Sequence, residues 1–373
     1  MVEAELRVRS GQVVALRLFD VAYRIDLKRA EALWARSAQG PSARSRLVGT
    51  PPKAVSFGVP PLALELGPVT LEIGGATVPA AAGVRLYDFG IAALALRLPV
   101  QNLDWGDFTQ LVNRTDQAVG PAASTGVWEA LLAQLRGLLG EALERPTATP
   151  LQEDYLIALV YAFSEKTTAE ALQERVDLVP LLSGDAQPLS EGARRDLLRQ
   201  RFSYHQDDLA VITWDRAFIL EPQQETDVAD VLEMANAQLL EMRTYDEMLD
   251  DELPRMRDLV EAARRRTNLF ASRRYARLAR RLYSLVAEVT GLAERVDNAL
   301  QVTEDVYLAR VYAAAMELFR VSSVSAAVDR KLAIIRETYT ALHSEAAGAR
   351  AELLEIGIVV LIMLEIVISL LPH

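Results

Sequence analysis

The chain has 373 residues, no cysteine, three histidines and a formal charge of −11. No disulfide framework, thiol nucleophile, Cys-ligated zinc or iron–sulfur cluster is open to it, and its length suggests two or three folding units. The acidic balance disfavours an overall pull toward nucleic acid or anionic lipid, while a mean hydropathy of +0.10 with 24% charged residues implies that apolar residues are concentrated somewhere.

The N-terminus, MVEAELRVRSGQVVALRLF, has acidic residues and no apolar stretch of the kind a secretory signal needs. Val13–Phe19 and Val84–Leu98 are rich in apolar residues, and Leu64, Leu66, Val69, Leu71 and Ile73 alternate with other residues as half-buried strands do. Pro51-Pro52, Pro60-Pro61 and Gly74-Gly75 punctuate the intervals. Helical spacing over Val127–Leu143 predicts a helix closed by Pro146 and Pro150. Tyr155–Phe163 reads as a strand, and Phe202–Tyr204 and Leu209–Thr213 read as the arms of a hairpin. Residues 1–222 are therefore expected to form an N-terminal α+β domain of mixed strands and helices.

After Glu221-Pro222 the composition becomes helical. A first helix over about Val228–Leu253 carries Asp230, Glu233, Glu241, Asp246, Glu247, Asp250, Asp251 and Glu252 against Arg243 alone. The next stretch inverts the sign with Arg264, Arg265, Arg266, Arg273, Arg274, Arg277, Arg280 and Arg281, and no acid lies between Arg264 and Leu285. Opposite-sign helices adjacent in sequence favour pairing across a hairpin. The competing reading is an anion site for a lipid headgroup or RNA phosphate, with aromatic contacts from Phe270, Tyr275 and Tyr283.

Val328, Leu332, Ile335, Tyr339, Leu342, Ala346, Ala349, Leu353, Ile356, Val360, Met363, Val367 and Leu370 are spaced by alternating fours and threes. That is a heptad seam on one long helix, and it implies a homo-oligomer or a partner helix. It ends in IGIVVLIMLEIVISLL, Ile356–Leu371, which spans roughly 24 Å as a helix. This is close to bilayer thickness. Residues 223–351 are thus expected to form a helical hairpin or coiled-coil region, and 352–373 a C-terminal transmembrane helix contacting the lipid bilayer. The expected location is a bacterial inner membrane with the bulk of the protein in the cytoplasm. Glu365 interrupts the run, and a carboxylate at that depth should face protein or water, or stay protonated. The alternative is a soluble oligomer with a central coiled coil and an unrecognised catalytic pocket in the N-terminal domain.

No glycine-rich phosphate loop, G-x-S-x-G elbow or H-E-x-x-H helix is present. His205, Asp207 and Asp208 form the best metal-like cluster, which a solvated turn explains equally well. The residues assign no catalytic group, cofactor or metal, and the expectation is a non-enzymatic scaffold or adaptor.

LLEIGIVVLIMLEIVISLL, Leu353–Leu371, resembles the C-terminal pattern of the required-for-meiotic-nuclear-division protein family: Leu-Glu, an aliphatic run and an embedded glutamate. ARLARRLYSL (Ala276–Leu285) and VDRKLAIIRETYTAL (Val328–Leu342) are similar to its preceding helices, and LYDFGIAA (Leu86–Ala93) and Leu209–Asp215 to two of its strands. QVTEDVY (Gln301–Tyr307) lacks that family's proline and paired aromatics, as a divergent bacterial branch would. The resemblance implies a membrane-anchored, non-enzymatic protein. Mitochondrial members of that family support organellar translation, so RNA or the ribosome is a partner that the resemblance implies for the arginine-rich segment.

Overall fold

The computed structural model describes residues 6–37, 42–44, 55–57, 59–148, 150–185, 187–264, 277, 280, 283–284, 286–287, 300–302 and 306–370. In chain order, β1 (Arg7–Asp20) and β2 (Ala22–Ile25) lead into α1 (Leu27–Ser37), followed by two short strands, β3 (Ser42–Arg44) and β4 (Val55–Phe57). Three long strands come next: β5 (Leu62–Ile73), β6 (Ala76–Leu86) and β7 (Ile91–Asp104). Helices α2 (Trp105–Val119) and α3 (Val127–Leu139) precede β8 (Leu143–Pro146) and β9 (Gln152–Phe163). Short helices α4 (Ala169–Arg175), α5 (Val179–Ser183) and α6 (Glu191–Leu197) lead to β10 (Arg201–Phe202), β11 (Leu209–Ile212) and β12 (Arg216–Leu220). The rest comprises α7 (Asp227–Arg264), β13 (Leu300–Val302), α8 (Val306–Leu318) and α9 (Val321–Leu370).

Nine strands form one sheet in the order β10-β11-β12-β9-β1-β7-β6-β5-β3. β12 runs parallel to β9, while its other neighbour and the long central strands pair antiparallel. A parallel neighbour needs a long crossover, and α4–α6 with β10 and β11 supply it. Side chains alternate across a strand. Val13, Ala15 and Phe19 of β1, with Leu94, Leu96 and Leu98 of β7 and Leu156, Ala158 and Val160 of β9, join Phe108, Val112, Trp128, Leu131 and Leu135 of α2 and α3 in one core. The intervening Val14, Leu16, Leu18, Ile157 and Leu159 are buried too. Both faces are covered, which is why these strands read as nearly continuous apolar runs.

The second face lies under α7 and α8. Arg85 and Gly83 of β6 pair in register with Ala93 and Ala95 of β7, so small residues leave room for a helix around the arginine. The Tyr155 ring meets Phe319 edge-on at 5.4 Å. From Asp227 to Met242 only Ala229 and Leu239 of α7 are less than fully buried. Such a helix is enclosed on all sides.

The α+β class, an N-terminal sheet domain followed by helices, agrees with the sequence reading. Several elements differ. Val84–Leu98 is folded back at Tyr87–Gly90, where Tyr87 N–H donates to Ile91 O at 2.9 Å. Gly90 sits at φ 103°, and a Cβ there would lie 1.8 Å from Ala22 O, so only glycine lets β2 approach. The helix beginning at Val127 stops at Leu139, and a 3-10 turn and β8 occupy Gly140–Pro146. α7 continues through Pro254 to Arg264.

The chain separates into two compact units, Met1–Glu241 with Arg295–Ser322, and Met242–Glu294 with Ser323–His373. This division differs from the boundaries that composition suggested at 222 and 351. α9 is one helix, as the heptad reading required, but the expected C-terminal transmembrane helix is not established: among the described residues no single helix is long and apolar enough to cross a membrane. One bent pair, Val306–Leu318 with Val321–Ala341, passes by length and composition, and its Leu308, Val311, Ala315, Leu332 and Ile335 are buried like core residues.

Candidate functional site

The most unusual chemistry lies inside the first unit, where α7 meets β6. Arg85 Nη2 contacts Asp230 Oδ1 at 2.8 Å, and Nη1 lies 3.1 Å from Glu233 Oε2. Nη1 makes no aligned hydrogen bond. The Tyr87 hydroxyl donates to Glu233 Oε1 at 2.7 Å, and the Thr226 hydroxyl donates to Asp230 Oδ2 at 3.2 Å. Burial pushes the Glu233 carboxyl up, opposed by Arg85 and reinforced by Asp230. Burial alone would lower the Arg85 guanidinium, but Asp230 and Glu233 hold it well above its ordinary value. The Tyr87 phenol is also held high, first by burial and then by Glu233.

A second ionic group ties α2 to the sheet. Arg216 Nη1 donates to Asn113 Oδ1 at 2.6 Å and to Leu181 O at 3.0 Å, and Nη2 donates to Asp116 Oδ2 at 2.6 Å. Arg17 donates to Gln152 Oε1 and Val119 O, with its guanidinium 5.5 Å from the Trp128 ring centre. Asp154 faces Arg17 across the β1–β9 ladder and is pushed up by burial against the pull of that arginine. A cavity of about 10 Å³ beside Asp116, Gly120 and Asp154 has room for one water. A larger open groove, about 300 Å³, is lined by Arg175, Arg194 and Arg201. Arg175 pairs with Glu165, Arg194 grips Asp177, and Arg201 donates to Gln173 Oε1 and Leu198 O.

Sequence reasoning passed over Arg17, Arg85 and Arg216. A signal was present, because Arg17 and Arg85 interrupt apolar runs (VVALRLF, AGVRLY) and Arg216 opens one (RAFIL), and a charge buried in such a place must be paired. In the 202–213 hairpin, Asp208 accepts the Tyr204 N–H at 2.7 Å and the His205 N–H at 2.9 Å, which makes it a turn-forming residue. His205 stacks edge-on against Tyr204, and among the described residues no group of three or more His, Asp or Glu is arranged to hold a metal ion.

Of the arginine-rich segment, Arg277 and Arg280 are exposed on helical backbone. Arg264 ends α7; its side chain, and Arg265, Arg266, Arg273, Arg274 and Arg281, lie outside the described residues. Among the described residues, several acids of the helix pair elsewhere. Asp230 and Glu233 hold Arg85, and Glu241 is buried in the first unit. Asp246 and Asp250 hold Lys331 at 2.6 and 2.7 Å, and Asp251 and Glu252 flank Arg255. Glu365 lies on α9, with its side chain outside the described residues. On the same helix, Val328, Leu332 and Ile335 of the heptad seam are buried, whereas Ile358, Val359, Leu361, Ile362 and Met363 are 51–66% exposed.

A protein of Methanocaldococcus jannaschii, described as Uncharacterized protein MJ0711, is 25% identical over 231 residues, covering 61% of this chain and 69% of its own. No solved structure matches. The resemblance to the required-for-meiotic-nuclear-division family is not upheld, because the family found is a different one and takes in the whole sheet region where LYDFGIAA and Leu209–Asp215 lie. The translation link implied by that resemblance falls with it. The matching family model extends over residues 10–227, more than half of the chain, and the chain belongs to the family described as Uncharacterized protein MJ0711, N-terminal domain.

Proposed function

We propose that the protein is a membrane-tethered, non-catalytic binding protein whose sheet unit is the working part and whose α9 terminus is the anchor. The observation that carries this reading is the exposed apolar surface of α9. At 100° per residue, Ile358, Val359, Leu361, Ile362 and Met363 are spread over about 200° of the helix circumference. A coiled-coil partner covers only a narrow a/d stripe. Lipid covers a helix on every side, and Leu353–Leu370 is roughly 27 Å long, close to the hydrocarbon thickness.

The arginine-rich segment fits the same reading as an anionic-lipid contact. Arg264 to Leu285 carries eight arginines and no acid, and Arg277 and Arg280 are exposed. Each basic residue near an anionic surface contributes about 1 kcal/mol.

Fractionation tests the anchor. Full-length protein should stay with membranes after alkaline carbonate washing. Recovery of full-length protein in the soluble fraction without detergent overturns the proposal.

A further inference from the structure

In the buried layer between the sheet and α7, one arginine faces two carboxylates. Arg85, Asp230 and Glu233 have side chains at most 15% exposed. The groups facing Glu233 are Arg85 from β6, Tyr87 from the turn after β6, Asp230 from the preceding turn of α7 and, further off, Arg97 from β7. Asp227 and Glu241, the next buried carboxylates on the helix, are roughly 9 and 12 Å away along its axis. Arg85, Asp230 and Glu233 together carry −1 with Glu233 ionised and zero with it protonated, and Arg97 adds a pull toward the ionised form that burial outweighs. An excess charge in such a layer is costly. Asp230 is the better held of the two, with the aligned Arg85 bond and the Thr226 hydroxyl, whereas Glu233 has only the unaligned Nη1 and Tyr87.

We propose that Glu233 is a proton-operated latch that sets how tightly the first turns of α7 seat on the sheet. Protonated, it leaves Arg85 to Asp230 and the layer neutral. Ionised, it leaves one carboxylate in excess and the helix less tightly seated. The latch acts on the part of α7 that lies in the first unit, up to Glu241. The direction follows from the upward displacement of the Glu233 carboxyl by burial. Its stabilising contribution is complete below the ordinary glutamate range, about 4.3, and is lost as pH rises through the higher folded-state value.

The test is amide hydrogen exchange over residues 228–242 of the full-length protein between pH 5 and 8, corrected for intrinsic exchange. In wild type, opening should rise roughly threefold or more with pH, and in Glu233→Gln, which keeps an acceptor for Tyr87, the rise should disappear. Tyr87→Phe removes a donor from the ionised carboxylate and should move the rise to higher pH. Asp154, Asp215 and Glu221 are also displaced upward by burial and act on global stability in the same direction, so the local readout decides. A flat wild-type profile, a rise that persists in Glu233→Gln, or no shift in Tyr87→Phe overturns the latch.

Discussion

Arg17 within β1, Arg85 near the end of β6 and Arg216 at the start of β12 each place a guanidinium among apolar strand residues, and each is held by groups distant in sequence. Arg85 and Asp230 are 145 residues apart, and Arg216 and Asp116 are 100 apart. That a partner must exist is legible from one strand, but which one is not, because the pairing is set by how helices are laid over the sheet. Removing Arg216 takes its guanidinium from Asp116, which is 33% exposed, and from the half-buried Asn113. Arg216→Met should cost about 1.5–3 kcal/mol in denaturant unfolding. Asp154 has the opposite sign. Its carboxyl is pushed up by burial, so the ionised form costs stability as pH rises above the ordinary aspartate range, about 3.9. Asp154→Asn should therefore raise the thermal midpoint at neutral pH, with the gain shrinking below about pH 4, as a pH series of melting curves would show. Gly90→Ala should lose roughly 3 kcal/mol or more, because the added Cβ meets Ala22 O and the residue sits at positive φ.

Element by element, the central strands were readable, since a sheet buried on both faces writes long apolar runs such as Val13–Phe19 and Tyr155–Phe163. α2 was missed although Phe108, Val112, Thr115 and Val119 lie at helical spacing, because polar residues outnumber them between Trp105 and Val119. The composition of α7 reads as a strongly acidic helix paired across a hairpin; its first four turns are enclosed, with Asp230 and Glu233 on Arg85 and Asp246 and Asp250 on Lys331. Periodicity could not reveal this, since a helix buried all round has no single apolar face. Pro254 adds a conflict of its own inside α7. It removes one backbone donor and crowds the preceding turn. Pro254→Ala should raise helicity by circular dichroism and stabilise the helix by up to about 3 kcal/mol.

For the whole molecule, the sheet unit and the helical unit carry different kinds of information. The family match lies in the sheet region, residues 10–227, whereas the resemblance first drawn rested chiefly on the terminal helix. An aliphatic run with a glutamate is what any buried or bilayer helix uses, and LYDFGIAA is a tight turn that Gly90 makes possible. Short motifs of that kind report local geometry more than descent. The proposed roles of the terminal run and the arginine-rich segment stand apart from the resemblance, because apolar exposure and charge are read from the residues themselves. Replacing Arg277 and Arg280 by glutamine should weaken flotation with vesicles containing anionic lipid several-fold and leave neutral vesicles unaffected.

The absence of cysteine makes the central claim directly measurable, since any single introduced thiol is uniquely labelled. Single cysteines at 358, 359, 361, 362 and 363 of the full chain, each carrying a small fluorophore, can be reconstituted into vesicles containing brominated lipid. Membrane anchoring predicts quenching at all five positions, around the whole 200° arc. Quenching at none, or protection of every label by protein contact, would contradict it.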